Sequence, residues 1–340
     1  MTNQAHLMRI VIPGGSGQVG HLLARHFHAQ GHIVTVLSRR VMPAPWSVLP
    51  WDGLTPGAWI DALEGADACI NLAGRSVNCR YTAANRRAMY DSRILSTRLL
   101  NQVISTLHRP PRVWLNASTA TIYRHALDRP PALDRPMDEA TGELGGGEPG
   151  APRRWDFSIR IAKDWEEAFF ATPTPATRKV ALRSAIIFSP DRGGPFALLS
   201  RLVRLGLGGA NGSGHQFVSW IHDADFVRAV DLLLTGDSSI IGDSTTGDSW
   251  TGVVNLAAPH PLPNRDFMQA LRKAWAVPVG LPAAGWMIGA AGLLLRTESE
   301  LVLKSRRVVP GRLLDAGFQF QFPEWPAAVR DLVARYPAVS

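Results

Sequence analysis

The run Gly14-Gly15-Ser16-Gly17-Gln18-Val19-Gly20 stands between a continuous apolar stretch (8–12) and a helical segment (19–30) that aligns Leu22, Leu23 and Phe27. Glycines at that spacing, placed where a strand hands over to a helix, leave few folds open. Gly14 permits a tight turn, Gly17 lets the backbone approach a pyrophosphate, and Gly20 allows close helix–strand packing. Amides at the helix start, backed by the helix dipole, then receive phosphate charge. The turn therefore predicts a dinucleotide held by Gly14, Ser16, Gly17, Gln18, Val19 and Gly20.

The rest of the first half agrees with that beginning. Apolar, strand-like runs at 32–37, 67–72, 112–117 and 179–188 alternate with helical stretches at 83–107 and 157–170. Such alternation predicts a parallel sheet covered on both faces, wound by right-handed crossovers. The fold class expected is α/β: a doubly wound parallel Rossmann sheet with a smaller C-terminal α/β substrate lobe. The boundary falls near residue 188, giving a dinucleotide-binding domain over 1–188 and a lobe over 189–340. Strand 252–257 is expected to return to the Rossmann sheet.

The cofactor type is read from the end of the second strand. Ser38-Arg39-Arg40 follows Leu37, where an NAD site would carry a carboxylate for the ribose hydroxyls. Two guanidiniums and a hydroxyl suit the 2′-phosphate of NADP(H) instead. Leu72, Ala73 and Gly74 close the 67–72 strand at its carboxyl edge, where small residues let the cofactor lie against the backbone.

Composition narrows the partners. The net charge of +8 comes from 32 arginines and only four lysines, and the arginines are scattered. A nucleic-acid binder concentrates its charge on one face, so no nucleic-acid partner is expected, and the basic surface favours phosphate-bearing small molecules. Two cysteines, Cys69 and Cys79, lack metal-ligand spacing, so neither a metal site nor a disulfide framework is expected. No signal peptide is evident, and the apolar stretch 279–295, interrupted by Pro282, reads as a buried helix rather than a membrane span. The location expected is cytoplasmic, with a homodimer as one arrangement.

Beyond residue 188 glycine-rich loops separate helices at 223–234, 264–275 and 326–336. The 128–155 segment, with Gly145-Gly146-Gly147, is a loop: an insertion or a cover over the site. Trp220 and His222 line a pocket or serve as core and helix cap; Arg183 meets a substrate anion or pairs at the sheet edge. Phe318, Phe320 and Phe322 alternate as strand residues do.

Taken together, GGSGQVG, INLAG (70–74), Asp91-Ser92-Arg93, Asp164-Trp165-Glu166, Ser219-Trp220-Ile221-His222 and the block 307–320 resemble the atypical extended short-chain dehydrogenases/reductases. The likeness is to the "epimerase family" oxidoreductases that end in a domain of unknown function. It implies NADP(H) binding and a redox or epimerase-like role on a small-molecule substrate whose identity the family leaves open. The superfamily's chemistry needs a hydroxyl to orient a carbonyl, a tyrosine to exchange a proton, and a lysine to lower the tyrosine pKa and hold the nicotinamide ribose. The resemblance places Thr119 at the hydroxyl position with Ser118 beside it, and Lys163 at the lysine position. Four residues earlier stands Ile159, which has no proton to give. Tyr123, four residues beyond Thr119, is the sequence's candidate substitute. Two readings follow: an oxidoreductase with another proton donor, or a redox-silent NADP(H)-binding sensor or scaffold.

Overall fold

The computed structural model describes residues 7–125, 135–148, 151–236, 250–283 and 298–337. Its centre is a seven-stranded, all-parallel sheet formed by β1 (Arg9–Pro13), β2 (Ile33–Ser38), β3 (Ser47–Pro50), β4 (Ala68–Asn71), β5 (Val113–Thr119), β6 (Arg178–Ser184) and, much later in the chain, β10 (Gly252–Leu256). The order across the sheet is β3-β2-β1-β4-β5-β6-β10. Chain direction across the sheet reverses between β1 and β4, which opens a crevice at the carboxyl ends of those strands.

Alternation along each strand divides the core into two layers. Ile10, Ile12, Val34, Val36, Ile70, Leu115 and Leu182 face α1 (Gln18–Ala29) and α6 (Asp223–Thr235). Val11, Leu37, Cys69, Trp114 and Ala181 face the opposite way, toward α3 (Ala83–Ile104) and Phe169 near the end of α4 (Asp156–Phe170). Helix α3 starts on Thr82, whose side chain accepts a hydrogen bond from the Asn85 amide, an N-cap that satisfies one of the free first-turn donors. Among the described residues no helix is long and apolar enough to cross a membrane.

Two local expectations change, and one strand is added to those expected. The edge strand β3, between Pro45 and Pro50, has no apolar alternation to reveal it; proline is tolerated there because an edge strand needs only one hydrogen-bonded side. The single run 179–188 divides at Ala185 into β6 and β7 (Ile186–Phe188), and β7 leaves the sheet to pair with β9 (Trp220–His222). Residues 318–322 form no strand: Phe318 and Phe320 pack edge-on together while Phe322 stacks on His222. Most of the apolar stretch 279–295 lies outside the described residues.

A second core holds the C-terminal portion. Trp325 is 1% exposed and stacks on Phe267 with centroids 4.1 Å apart, while Phe188 and Trp220 pack beside it. Its indole nitrogen donates to the Phe267 carbonyl at 3.0 Å. Trp325→Ala is expected to cost about 3–5 kcal/mol, measured by urea unfolding, and to leave the contacts of the parallel sheet in place.

Candidate functional site

The glycine turn sits at the carboxyl end of β1. Gly14 takes a positive φ of 75°, donates its amide to the Leu37 carbonyl at 2.9 Å, and leaves no room for a side chain: a Cβ there would stand 2.6 Å from Ala73 Cα. A Cβ on Gly20 would overlap the Gly15 backbone, so α1 packs directly on the turn. Gly17 differs from both. Nothing lies within 4 Å of the position its Cβ would occupy, and α1 begins there with no side-chain cap and no acidic residue in its first turn. Ser16 is exposed nearby, and Gln18 donates to Ser189 Oγ at 3.3 Å, tying the turn to the segment after β7.

At the end of β2, Ser38 is buried and its hydroxyl accepts from the Arg40 amide at 3.3 Å, which shapes the exit of the chain. Arg39 and Arg40 are exposed, and neither guanidinium meets a carboxylate among the described residues. At the end of β4, Asn71 donates to Asn116 Oδ1 at 2.7 Å and accepts from the Ala73 amide, so Leu72, Ala73 and Gly74 are set by side-chain bonds from within the sheet.

From this edge a cleft of about 400 Å³ runs inward. Val19, Leu72 and Gly74 form the wall next to the glycine turn, and Ser118 and Thr119 stand at the end of β5. The structure thus brings those predicted residues together. Ser118 donates to Glu166 Oε1 at 2.6 Å. Thr119 accepts from the Thr121 amide at 3.1 Å.

Two expectations are corrected here. Tyr123 does not line the cleft: it is 1% exposed, its hydroxyl accepts from Arg183 at 2.9 Å and donates to Asn255 Oδ1 at 2.9 Å. Burial pushes the phenol up. Arg183 in turn grips Glu166 through two bonds of 2.8 and 2.7 Å, so it pairs with a carboxylate inside the fold. Lys163 also fails to reach the cleft. Helix α4 turns Ser158, Ile161 and Trp165 toward it. Lys163 is exposed on another side, bordering a separate surface depression of about 430 Å³ with Ile159, Arg160, Arg153 and the glycines at 145–147. The physical reason is the 100° step between helical residues: the spacing fits the expected tyrosine–lysine pair, but that stripe is rotated off the Ser158–Ile161–Trp165 face that lines the cleft. Trp220 is fully buried core, and His222 caps α6 by accepting from the Ala224 amide, with Asp331 at 3.0 Å on its other ring nitrogen.

The cleft also contains residues that no motif marked as site residues. Tyr81, Arg93, Ser158, Glu300 and Arg306 all line it. Ser158 donates to Glu300 Oε2 at 2.8 Å, and Glu300 is 2% exposed with its carboxyl pKa raised by burial. Burial and the Glu300 charge push the Tyr81 phenol up to about 12. Arg93 lies over the Trp165 ring at 5.2 Å and donates to the Met89 carbonyl; burial lowers it to about 10. Lys304, behind them, reaches the Thr121 carbonyl at 3.1 Å and sits 3.8 Å from Glu300. The sequence signals were Arg93 within the Asp91-Ser92-Arg93 motif, and Glu300 and Lys304 at helical i,i+4 spacing just before Arg306. Among the described residues no group of His, Cys, Asp and Glu could hold a metal ion.

Known proteins are similar to this chain in sequence and fold. The profile of the NAD dependent epimerase/dehydratase family matches residues 10–146, and that of a domain of unknown function (DUF1731) matches residues 284–332. Epimerase family protein SDR39U1 of Bos taurus is 30% identical over 331 residues, spanning 96% of this chain and all of the relative. The crystal structure of human epimerase family protein SDR39U1 (isoform 2) with NADPH superposes with a TM-score of 0.80 at 28% identity, covering 96% of this chain and 100% of that one. A nucleoside-diphosphate sugar epimerase from Corynebacterium glutamicum gives a TM-score of 0.70 at 25% identity, covering 96% of this chain and 58% of that one. The chain belongs to the epimerase family, the atypical extended short-chain dehydrogenases/reductases that carry a C-terminal domain of unknown function.

Proposed function

We propose that the protein is an NADP(H)-dependent oxidoreductase or epimerase-like enzyme that handles a small substrate in the cleft beside Ser118 and Thr119. One observation carries the reading. Gly14 and Gly20 are filled by the chain's own backbone, whereas Gly17 between them faces open space at an uncapped helix start. A turn built only for packing has no need of that opening. The donor set fits the cofactor: first-turn amides of α1 for the pyrophosphate, and Arg39 and Arg40 for a 2′-phosphate. The NADPH in the crystal structure of the human relative supports the same assignment.

When bound, the nicotinamide supplies or accepts a hydride. The chain does the rest. Val19, Leu72 and Ile187 wall the cleft with apolar surface and exclude water. Ser118 donates its hydroxyl hydrogen bond to Glu166, which leaves the Ser118 oxygen lone pairs free to accept a hydrogen bond from a substrate hydroxyl. Glu166 is fixed in turn by Arg183, so the serine keeps one orientation. Glu300, its carboxyl pushed up by burial, accepts a hydrogen bond from Ser158 at the inner wall of the cleft. That carboxyl takes over the task of the absent tyrosine.

A second reading, a redox-silent NADP(H) sensor or scaffold, is favoured by one feature: the face of α4 that meets the cleft presents Ser158, Ile161 and Trp165 and no tyrosine–lysine pair. A screen of carbonyl compounds and sugar nucleotides, followed as NADPH absorbance near 340 nm, separates the two. Turnover supports the enzyme. Tight NADPH binding with no consumption across the screen supports the sensor.

Three further outcomes are expected. Gly17→Ala alters stability by no more than about 1 kcal/mol yet weakens NADPH binding at least tenfold by calorimetry, whereas Gly20→Ala costs about 1–3 kcal/mol through overpacking. Replacing Arg39 and Arg40 together by alanine lowers affinity for NADPH at least tenfold and leaves affinity for NADH within a factor of two. Tyr123→Phe keeps NADPH affinity, and costs about 1–3 kcal/mol of stability in urea because Arg183 and Asn255 each lose a buried partner.

A further inference from the structure

Arg306 is 9% exposed and lines the cleft, yet among the described residues its guanidinium makes no hydrogen bond and no ion pair within 4 Å, and its buried Nε meets no partner there. Its backbone is fixed on both sides, the amide donating to the Phe217 carbonyl at 2.9 Å and the carbonyl accepting from Ser219 at 2.7 Å, so the side chain is held where it is. Arg93 reaches the same cleft from α3, its plane carried on Trp165 and without a carboxylate partner among the described residues. Lys304 adds a third buried cation, 3.8 Å from Glu300, and the charges of Glu298, Glu148 and Asp156 also act on this cluster. Leaving a guanidinium buried and unpaired is costly, and a fold that nonetheless orders one at a cavity wall has a complementary charge to meet.

We propose that Arg306, with Arg93 lining the same cleft, is an anion subsite, and that the substrate is a small molecule bearing a carboxylate or phosphate beside its reacting carbon. This rests on the reading of the cleft as the substrate site of an NADP(H)-dependent protein, and names the class of molecule it takes. Size points the same way. About 400 Å³ is shared between the nicotinamide end of the cofactor and the substrate, near the lower end for small-molecule sites. A guanidinium fork suits the paired oxygens of an oxyacid. Arg306 is set apart from Arg39 and Arg40, which stand beyond β2 on the adenosine side of the turn.

The test uses the full chain and three probes: oxamate as carboxylate, inorganic phosphate, and oxamide as the neutral counterpart of oxamate. Each is titrated by calorimetry and thermal shift, with and without saturating NADPH. Oxamate or phosphate is expected to bind and to raise the melting temperature of the wild type, oxamide at least tenfold more weakly; which anion wins identifies the group. In Arg306→Met the anion affinity falls at least tenfold, NADPH affinity stays within twofold, and the melting temperature without ligand does not fall, because no bond is lost. Arg306→Lys retains part of the binding. Equal binding of oxamide, anion binding unchanged in Arg306→Met, or a parallel loss of NADPH affinity would overturn the proposal. NADPH affinity of the wild type is read in the same titrations, so absence of cofactor binding would remove the parent reading, while normal NADPH binding with no anion response would remove this inference alone.

Discussion

The close approach of the β1–α1 turn to the end of β4 is the constraint on which the site depends. Backbone of residues 14 and 15 contacts backbone of residue 73 on one side and residue 20 on the other, and neither contact admits a Cβ. That contact is possible only because the sheet reverses direction between β1 and β4, so that two chain exits diverge and leave a crevice. The open position at Gly17 and the cleft wall at Val19, Leu72 and Gly74 both follow from it.

A second organising element is the buried chain of bonds from Ser118 through Glu166 and Arg183 to Tyr123 and Asn255. It spans β5, α4, β6 and β10, and Asn255 continues to Glu139 and to the Val309 carbonyl. Each member is satisfied by the next, which is the condition under which buried polar groups rigidify a fold instead of weakening it. Tyr123, read in sequence as a candidate proton donor, and Arg183, read as a substrate contact or a sheet-edge pair, are used up in this network. Its effect on chemistry is to fix the direction of one hydroxyl.

The inner cleft is assembled from segments far apart in sequence: Tyr81 before α3, Arg93 within it, Ser158 on α4, and Glu300 and Arg306 near the C-terminus. The C-terminal portion thus does more than pack against Phe188 and Trp220. It brings charge to a cavity whose mouth is made by the nucleotide-binding half, and Lys304, bonded to the Thr121 carbonyl, anchors that charge directly beyond β5.

The sequence by itself determined the parallel doubly wound sheet, the glycine turn after β1 and the guanidiniums beyond β2, because each depends on local periodicity or on conformations that neighbouring residues dictate. Leu72, Ser118 and Thr119 were legible for the same reason: they end strands, and strand ends converge in such sheets. Tertiary structure alone decided which face of α4 meets the cleft, and so turned Lys163 away and Ser158 inward, since a rotation of one residue in a helix is invisible to spacing until its packing partners are known. It also decided that Tyr123 would be buried and that Glu300 and Arg306 would arrive in the cavity, because contacts between residues nearly two hundred positions apart leave no periodic trace in the chain.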